Sequence, residues 1–384
     1  MKRTARNQLG RLAATLSAVA LVGCAQPAAT PQQDVQEQDV AMPVLPDPRL
    51  AASRDQHITL FGELPERREV PYFTRSATGL LQHTFSEEGA DFDPHISRDG
   101  KWLVFASTRH SMSPNLYYKA VDGMAVTQLT ADPSADVQPV FSPDRTRVAF
   151  ASNRTGNWDI WIVGIDGQQP EQITSGISQD VHPSWSPDGS KLVYASLSAG
   201  GQWEIWVADA KAEGTKQFVG YGLFPEWSPT SDTLLFQRAR ERGSRWFSIW
   251  TVQLVNGEPR YPTEIAFSAE AALITPTWSP DGTHIAYTAV APEGESDPFG
   301  PAVTNRADVW VVDAEGRGRV RLTDGYTANF GPAWSSAGRI YFTSSREGNE
   351  TIWSLQPLVG DMPDGSATAL KAKPSDVASS GTTK

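Results

Sequence analysis

Short apolar runs separated by turn residues recur along most of this chain. Residues 191–196 form one run rich in β-branched and aromatic side chains, and residues 204–208 form another. A Ser-Pro-Asp-Gly turn at 186–189 precedes the first run, and a shorter apolar segment at 182–186 precedes that turn. Such runs, bounded by Pro and Gly, are typical of β-strands. With an outer segment at 216–218, this stretch predicts four strands.

The same unit occurs six times. Each copy contains a proline, then a residue that varies, then a large apolar residue and a serine. The prolines are Pro94, Pro139, Pro183, Pro225, Pro276 and Pro332. The steps between them are 45, 44, 42, 51 and 56 residues. A strand-rich repeat of this length indicates a β-propeller with one blade per copy. The predicted fold is therefore all-β, a six-bladed β-propeller of four-stranded blades.

The two ends of the repeat region predict how the ring closes. The sixth set of inner strands, at 332–358, is not followed by an outer strand, whereas residues 81–84 precede the first set. We expect residues 81–84 to pair beside residues 352–354, so that an N-terminal outer strand completes the sixth blade. Closure of this kind removes an open sheet edge. The pattern assigns no element to residues 57–75.

The N-terminus has the features of an export signal. Four basic residues, Lys2, Arg3, Arg6 and Arg11, precede a short apolar stretch at 12–22. This stretch runs into the sequence Leu-Val-Gly-Cys at 21–24. That ending resembles the lipobox of bacterial lipoproteins and implies cleavage after residue 23 and diacylglycerol on the sulfur of Cys24. It also implies acylation of the new amino group, with palmitate as an expected chain. Several acyl chains form a stable anchor. The alternative is an ordinary secretory signal with an incidental cysteine.

The segments on either side of the repeats are polar. We interpret 1–23 as a lipoprotein signal peptide, 24–56 as a flexible tether, 57–360 as the propeller and 361–384 as a disordered tail. The net charge is −11, and removal of the signal's four basic residues leaves 29 basic against 44 acidic groups. An acidic body argues against nucleic acid as a ligand. It is compatible with cations or basic partners, and simple solubility is the preferred alternative explanation of the charge.

Three repeated motifs resemble one known family. Trp-Ser-Pro-Asp-Gly recurs after the inner strands, Ser152-Asn153-Arg154 follows a second strand, and Asp-Ile-Trp opens a third strand. This resembles the TolB-type propeller repeat over about residues 76–360. The resemblance implies a six-bladed ring in the bacterial envelope. It also implies a relative of the propeller domain, distinct from TolB itself, because TolB carries a separate α/β domain before its propeller and is not lipidated.

One departure from the repeat is a long loop in the fifth copy. Residues 291–306 lengthen the connection between its second and third strands, and they include Glu293, Glu295, Asp297 and Phe299. A long insertion on one blade is often a functional loop. A tolerated surface insertion is the alternative.

A second candidate lies where each inner strand begins. We expect side chains there to meet near one mouth of the central channel, and the candidates are Asp91, Asp93, Asp136, Gln138, Asp180 and His182. The repeated aspartates, three residues before the prolines, could instead cap backbone N–H groups at the turn into the strand. The residues immediately before the prolines differ between copies, so Asp93, Gln138 and His182 are the stronger functional candidates. Asp93 and His182 are also weak candidates for metal ligands.

These observations favour a binding protein over an enzyme. The chain contains no Gly-x-Ser-x-Gly motif, phosphate loop or zinc motif. The leading hypothesis is a monomeric, lipid-anchored β-propeller on the periplasmic side of the outer membrane that binds an envelope protein or peptide on its loop face. The alternative is a metal-assisted polysaccharide lyase or hydrolase at the channel mouth, for which a divalent cation is the one cofactor left open. A structural spacer is a third interpretation.

Overall fold

The computed structural model describes residues 76–358, except 87, 213, 240–245, 292–305 and 324–326. In these residues, 24 strands form six antiparallel sheets of four strands each. No helix among them is long and apolar enough to cross a membrane. The predicted all-β, six-bladed propeller is confirmed.

Each blade contains an inner, a second, a third and an outer strand. The inner strands are β2 (Asp91–Ile96), β6 (Asp136–Phe141), β10 (Gln179–Trp185), β14 (Leu223–Trp227), β18 (Ala272–Trp278) and β22 (Asn329–Trp334). The second strands are β3 (Trp102–Ser107), β7 (Arg147–Ser152), β11 (Lys191–Leu197), β15 (Thr233–Ala239), β19 (His284–Ala291) and β23 (Ile340–Ser344). The third strands are β4 (Asn115–Ala120), β8 (Asp159–Gly164), β12 (Trp203–Asp209), β16 (Phe247–Val255), β20 (Arg306–Asp313) and β24 (Thr351–Pro357). The outer strands are β5 (Val126–Gln128), β9 (Glu171–Gln172), β13 (Lys216–Tyr221), β17 (Glu258–Ala266), β21 (Val320–Arg321) and β1 (Ala77–Gln82).

The sixth blade is built from both ends of the repeat region. Its strand order is β1-β24-β23-β22, with Leu81 opposite Ser354 and Gln82 opposite Trp353. The backbone N–H of His83 continues the pairing by donating to the carbonyl of Ile352 at 2.8 Å. The predicted closure by an N-terminal outer strand is confirmed.

The apolar side chains pack between neighbouring blades. Each of the six hydrophobic clusters combines residues from adjacent blades. Trp185, Trp227 and Trp278 are buried at the ends of their inner strands. The recurring tryptophans therefore fill the wedge-shaped space between sheets, where a large aromatic side chain buries the most area.

A buried threonine ties the outer strand to the third strand in four blades. The hydroxyls of Thr84, Thr130, Thr174 and Thr323 accept the backbone N–H of Ile352, Leu116, Ile160 and Val309 at 2.9–3.0 Å. Each threonine lies two residues after the end of an outer strand, so its hydroxyl substitutes for a backbone partner there. This hydrogen bond explains why threonine recurs at that position of the repeat.

We expect Thr130→Val to lower the free energy of unfolding by about 1–3 kcal/mol, because it leaves the buried N–H of Leu116 without its acceptor. Urea unfolding measures the loss. The matched control is Thr127→Val, at an exposed position of the same outer strand, where a change within about 0.5 kcal/mol is expected. Equal effects of the two substitutions would contradict this role.

Candidate functional site at the channel mouth

The inner strands of all six blades line a central channel. Its cavity is about 300 Å³. At one end lie the six residues that precede the repeated prolines, which we call the channel mouth: Asp93, Gln138, His182, Phe224, Thr275 and Gly331. The loops that lead into the inner strands, and those from second to third strands, lie at the same end. We call that end the loop face.

The backbone of the channel mouth adopts an unusual conformation in every blade. All six residues have φ between 48° and 58°. Each inner strand also shifts its pairing register at this point, as in a β-bulge. Five of the six residues are not glycine, and a positive φ costs such residues free energy that the surrounding structure must offset.

Contacts from blade to blade hold this conformation. The backbone N–H of Gln138 donates to Asp93 Oδ2 at 3.2 Å, and that of His182 donates to Gln138 Oε1 at 2.9 Å. The ring of His182 lies against Phe224, with centroids 3.6 Å apart. The side chains of the first three blades therefore each contact the next blade, and this part of the mouth is preformed. Asp93, Gln138 and His182 do meet there.

His182 is a neutral, buried imidazole. Its side chain has no hydrogen-bond partner on either ring nitrogen among the described residues. Burial lowers its pKa to about 3, so it carries no charge at neutral pH. At the mouth its buried ring packs against Phe224.

The aspartates three residues before the prolines lie elsewhere. Asp91 is buried inside the first blade, where its Oδ1 accepts hydrogen bonds from Ser107 Oγ at 2.6 Å and Arg109 Nη2 at 2.8 Å. Asp136 binds Arg154 in the same way. Asp180 lines a separate cavity in the third blade. The expectation that they face the channel mouth is corrected, because a register shift follows each aspartate and breaks the alternation that would place it with the residue two positions later.

Sequence reasoning missed one titratable group in the channel wall. Glu226 lines the channel, and its Oε1 accepts the backbone N–H of Trp278 at 3.2 Å. Burial raises its pKa to about 8. The sequence did contain a signal: Glu226 directly follows the repeated proline, where three other copies have the uncharged residues Val140, Thr277 and Ala333.

Glu226→Gln is expected to flatten the pH dependence of stability. The folded-state pKa of about 8 lies above the ordinary value of 4.5, so folding takes up a proton and stability falls as pH rises through that window. The amide is neutral and keeps an acceptor for Trp278. Urea unfolding at about pH 5, 6.5 and 8, which lie within this window, measures how steeply the free energy of unfolding changes with pH. An unchanged slope, equal to that of the exposed control Glu258→Gln, would contradict the assignment.

The channel mouth does not present a set of residues suited to a metal ion. Among the described residues, no group of three or more His, Cys, Asp or Glu side chains is placed to hold one. Asp93 Oδ2 is engaged by the backbone of Gln138, and the His182 ring faces Phe224. The remaining sequence candidates, Cys24, Glu293, Glu295, Asp297 and Phe299, lie outside the described residues.

Comparison with known proteins places this fold in a family. The family model for the TolB beta propeller domain matches residues 51–254. A putative TolB from Agrobacterium tumefaciens is similar at 19% identity with a TM-score of 0.53, over 74% of this chain and 99% of that one. TolB from Acinetobacter baumannii is similar at 19% identity with a TM-score of 0.51, over 63% of this chain and 56% of that one. An oligogalacturonate lyase in complex with manganese is similar at 14% identity with a TM-score of 0.50, over 76% of this chain and 98% of that one.

At these identities the solved structures share the fold with this chain and nothing more specific. The family match is stronger evidence, because it covers more than half of the sequence and agrees with the six-bladed ring. The protein is a relative of the TolB propeller domain and not TolB itself. The chain belongs to the TolB β-propeller domain family.

Proposed function

We propose that the protein is a binding module of the bacterial cell envelope that holds a protein or peptide on its loop face. The observation that carries this proposal is the channel mouth, where hydrogen bonds link the positive-φ residues of three successive blades beside a preformed cavity. Preorganisation reduces the ordering cost of binding. The exposed part of Phe224 and the neutral His182 ring supply an apolar contact, and the acidic chain favours a basic partner.

The proposal includes a lipid anchor at Cys24 that keeps a monomeric propeller on the periplasmic side of the outer membrane. Its support is the lipobox-like sequence that ends in this cysteine. We expect Cys24→Ser to move the protein from the membrane fraction to the soluble fraction, because no thiol remains for the diacylglycerol group. Fractionation with immunoblotting measures the shift, and Ala25→Ser is the matched control. A Cys24→Ser protein that stays with the membrane would contradict the anchor.

Binding on the loop face is tested with the tagged full-length chain, cross-linked in cells and then purified. We expect a discrete envelope protein to co-purify, and Phe224→Ala to reduce its yield by about tenfold because an apolar contact at the mouth is lost. Deletion of residues 292–305 tests the long fifth loop in the same assay. Thermal unfolding checks that the variants remain folded. Undiminished yield from both variants would overturn the proposed face.

The alternative of a metal-assisted lyase or hydrolase is separated by a metal titration. If a divalent cation binds the purified protein and raises its melting temperature, and Asp93→Asn abolishes that effect, the enzymatic interpretation gains support over the binding module. The absence of stabilisation by Mn²⁺, Ca²⁺ or Zn²⁺ is the result that the binding proposal expects.

A further inference from the structure

Two blades contain the same internal ion pair, which we call the arginine slot. In the first blade, Arg109 Nη2 lies 2.8 Å from Asp91 Oδ1. In the second, Arg154 Nη2 lies 2.9 Å from Asp136 Oδ1. The arginine follows the end of the second strand by two residues and reaches back over the blade to the aspartate that starts, or nearly starts, the inner strand. The geometry is a charge-assisted hydrogen bond between buried partners.

Aromatic rings complete each slot. The guanidinium carbon of Arg109 lies 5.2 Å from the ring centre of Tyr117, and that of Arg154 lies 5.4 Å from Phe150 and 4.8 Å from Trp161. Guanidinium groups stack favourably on such rings because the planar cation meets the negative face of the aromatic system. A carboxylate, a serine and one ring from each of two strands therefore define the slot.

The third blade keeps these parts but lacks the arginine. Asp180, Ser196, Tyr194 and Trp206 occupy the positions of the aspartate, the serine and the two rings, and Ser198 stands where the arginine would be. These five residues line a cavity of about 160 Å³. A single water needs only about 10–15 Å³ by this kind of measure, so the space admits a group much larger than water.

The cavity opens on the loop face. Its rim includes the exposed residues Ser175 and Ala199, from the loops on either side of the slot. Ile177, two residues from Ser175, is 92% exposed.

The charges around the cavity are unbalanced. Asp180 is 3% exposed, and its Oδ1 has no hydrogen-bond partner among the described residues. Asp159, on the adjacent third strand of the second blade, is 1% exposed and has the same deficiency at its Oδ1. Burial raises the pKa of both carboxyl groups, and the charge of Asp180 raises that of Asp159 further. Beside the arginine slot of the second blade, the corresponding residue is the neutral Asn115 on the third strand of the first blade.

Two other charged groups face this cavity. Glu204 Oε2 accepts the indole N–H of Trp206 at 3.0 Å. Lys216 lowers the pKa of Asp180 and Asp159, but less than burial raises them, and its side chain is exposed. The slot of the third blade therefore has an additional buried carboxylate beside it, Asp159 of the second blade, and it has no arginine. A second cation with planar geometry would complete this slot.

We propose that this blade-three cavity binds the guanidinium group of an arginine side chain supplied by a partner protein. A guanidinium fits because two other blades place one at the same position, between the same kinds of ring and carboxylate. A metal ion fits less well, because the described residues contain no group of three acidic, His or Cys side chains placed to hold one. The inference deepens the proposed function and rests on it only for the source of the arginine.

The test is calorimetric titration of the full chain with N-acetyl-L-arginine amide. We expect this probe to bind saturably. The neutral citrulline analogue and N-acetyl-L-lysine amide should bind with affinities lower by about tenfold or more. Ser198→Arg should fill the slot from within, raise the melting temperature and abolish binding of the probe. Ala269→Arg, an exposed change on another loop of the same face, is the matched control and should leave binding intact.

Asp180→Asn keeps the proposal testable if Ser198→Arg does not fold. It should weaken binding of the arginine probe by about tenfold or more, because the charged acceptor is lost. Equal binding of the citrulline or lysine analogue, or binding that is unchanged in both variants, would overturn the assignment. That failure would leave the proposed function standing, since partner capture through Phe224 is measured separately.

A complementary variant creates the same slot in the second blade. Arg154→Ser should lower the melting temperature, and N-acetyl-L-arginine amide should restore part of the loss, because the probe replaces the missing guanidinium. Restoration by the citrulline analogue to the same extent would contradict specific binding of the cation.

Discussion

Asp136→Ala is expected to lower the free energy of unfolding by about 3–5 kcal/mol, whereas Asp180→Ala should lower it far less. Asp136 is fully buried and pairs with Arg154 through both carboxylate oxygens, at 2.9 and 3.0 Å. Its removal leaves a largely buried guanidinium without its counter-charge. Asp180 has no arginine to leave behind. Urea unfolding at pH 7 measures both changes.

The pH dependence gives this comparison a second readout. The pKa of Asp180 is raised by burial above its ordinary value of 3.8, so its ionisation costs stability as pH rises above that value. Asp180→Asn is therefore expected to be neutral or stabilising at pH 7, and its advantage should shrink toward pH 4, about the ordinary pKa of the group. Equal losses from Asp136→Ala and Asp180→Ala would contradict the difference between the two blades.

Removal of the closing strand is expected to have the largest effect on the fold. A chain that begins at residue 86 lacks β1, and we expect it to lose about 5 kcal/mol or more, a large share of the stability of a typical domain. The loss follows because His83 no longer donates to Ile352, and the N–H of Ile352 loses the Thr84 hydroxyl. Lys119 Nζ also loses the carbonyl of His83.

Thermal unfolding and sedimentation velocity test this expectation. The shortened chain should melt earlier and self-associate, because β24 becomes an unpaired edge. The matched control begins at residue 76 and keeps every described strand. If the two chains have the same melting temperature and both remain monomeric, the closure does not stabilise the ring.

The ring and its closure could be predicted because they depend on pattern. Six copies of one proline-centred segment specify six similar sheets, and an outer strand missing at one end and present at the other specifies how they join. The outer strands and the threonines that follow them carried more information than the pattern alone showed. Their threonine hydroxyls bind third-strand N–H groups such as that of Leu116, a role that becomes visible only with the strand register.

The placement of the aspartates could not be predicted in the same way. Asp91 and Asp93 are two residues apart, yet a register shift between them separates a side chain inside the blade from one at the channel mouth. A bulge breaks the simple alternation from which a sequence argument works. The proline after Asp93 marks this position in the sequence, but it does not indicate that the residue before it has a positive φ.

The arginine slot left a signal that sequence comparison could have found. Ser107 and Ser152 are each followed two residues later by an arginine, whereas Ser196 is followed by Ser198. The meaning of that difference depends on Asp180, 16 residues before Ser196 in the chain and opposite it in the sheet. Only the fold shows that the substitution opens a cavity beside a buried carboxylate.

We propose that this propeller binds an envelope partner on its loop face, beside the third blade. The most direct measurement places a photo-reactive amino acid at Ile177, on the rim of the cavity, and at the exposed Gln169 on the opposite face. We expect a discrete cross-linked protein from position 177, none from position 169, and loss of the product when Ser198→Arg is added. Cross-linking that is absent at position 177, or equal at both positions, would contradict it.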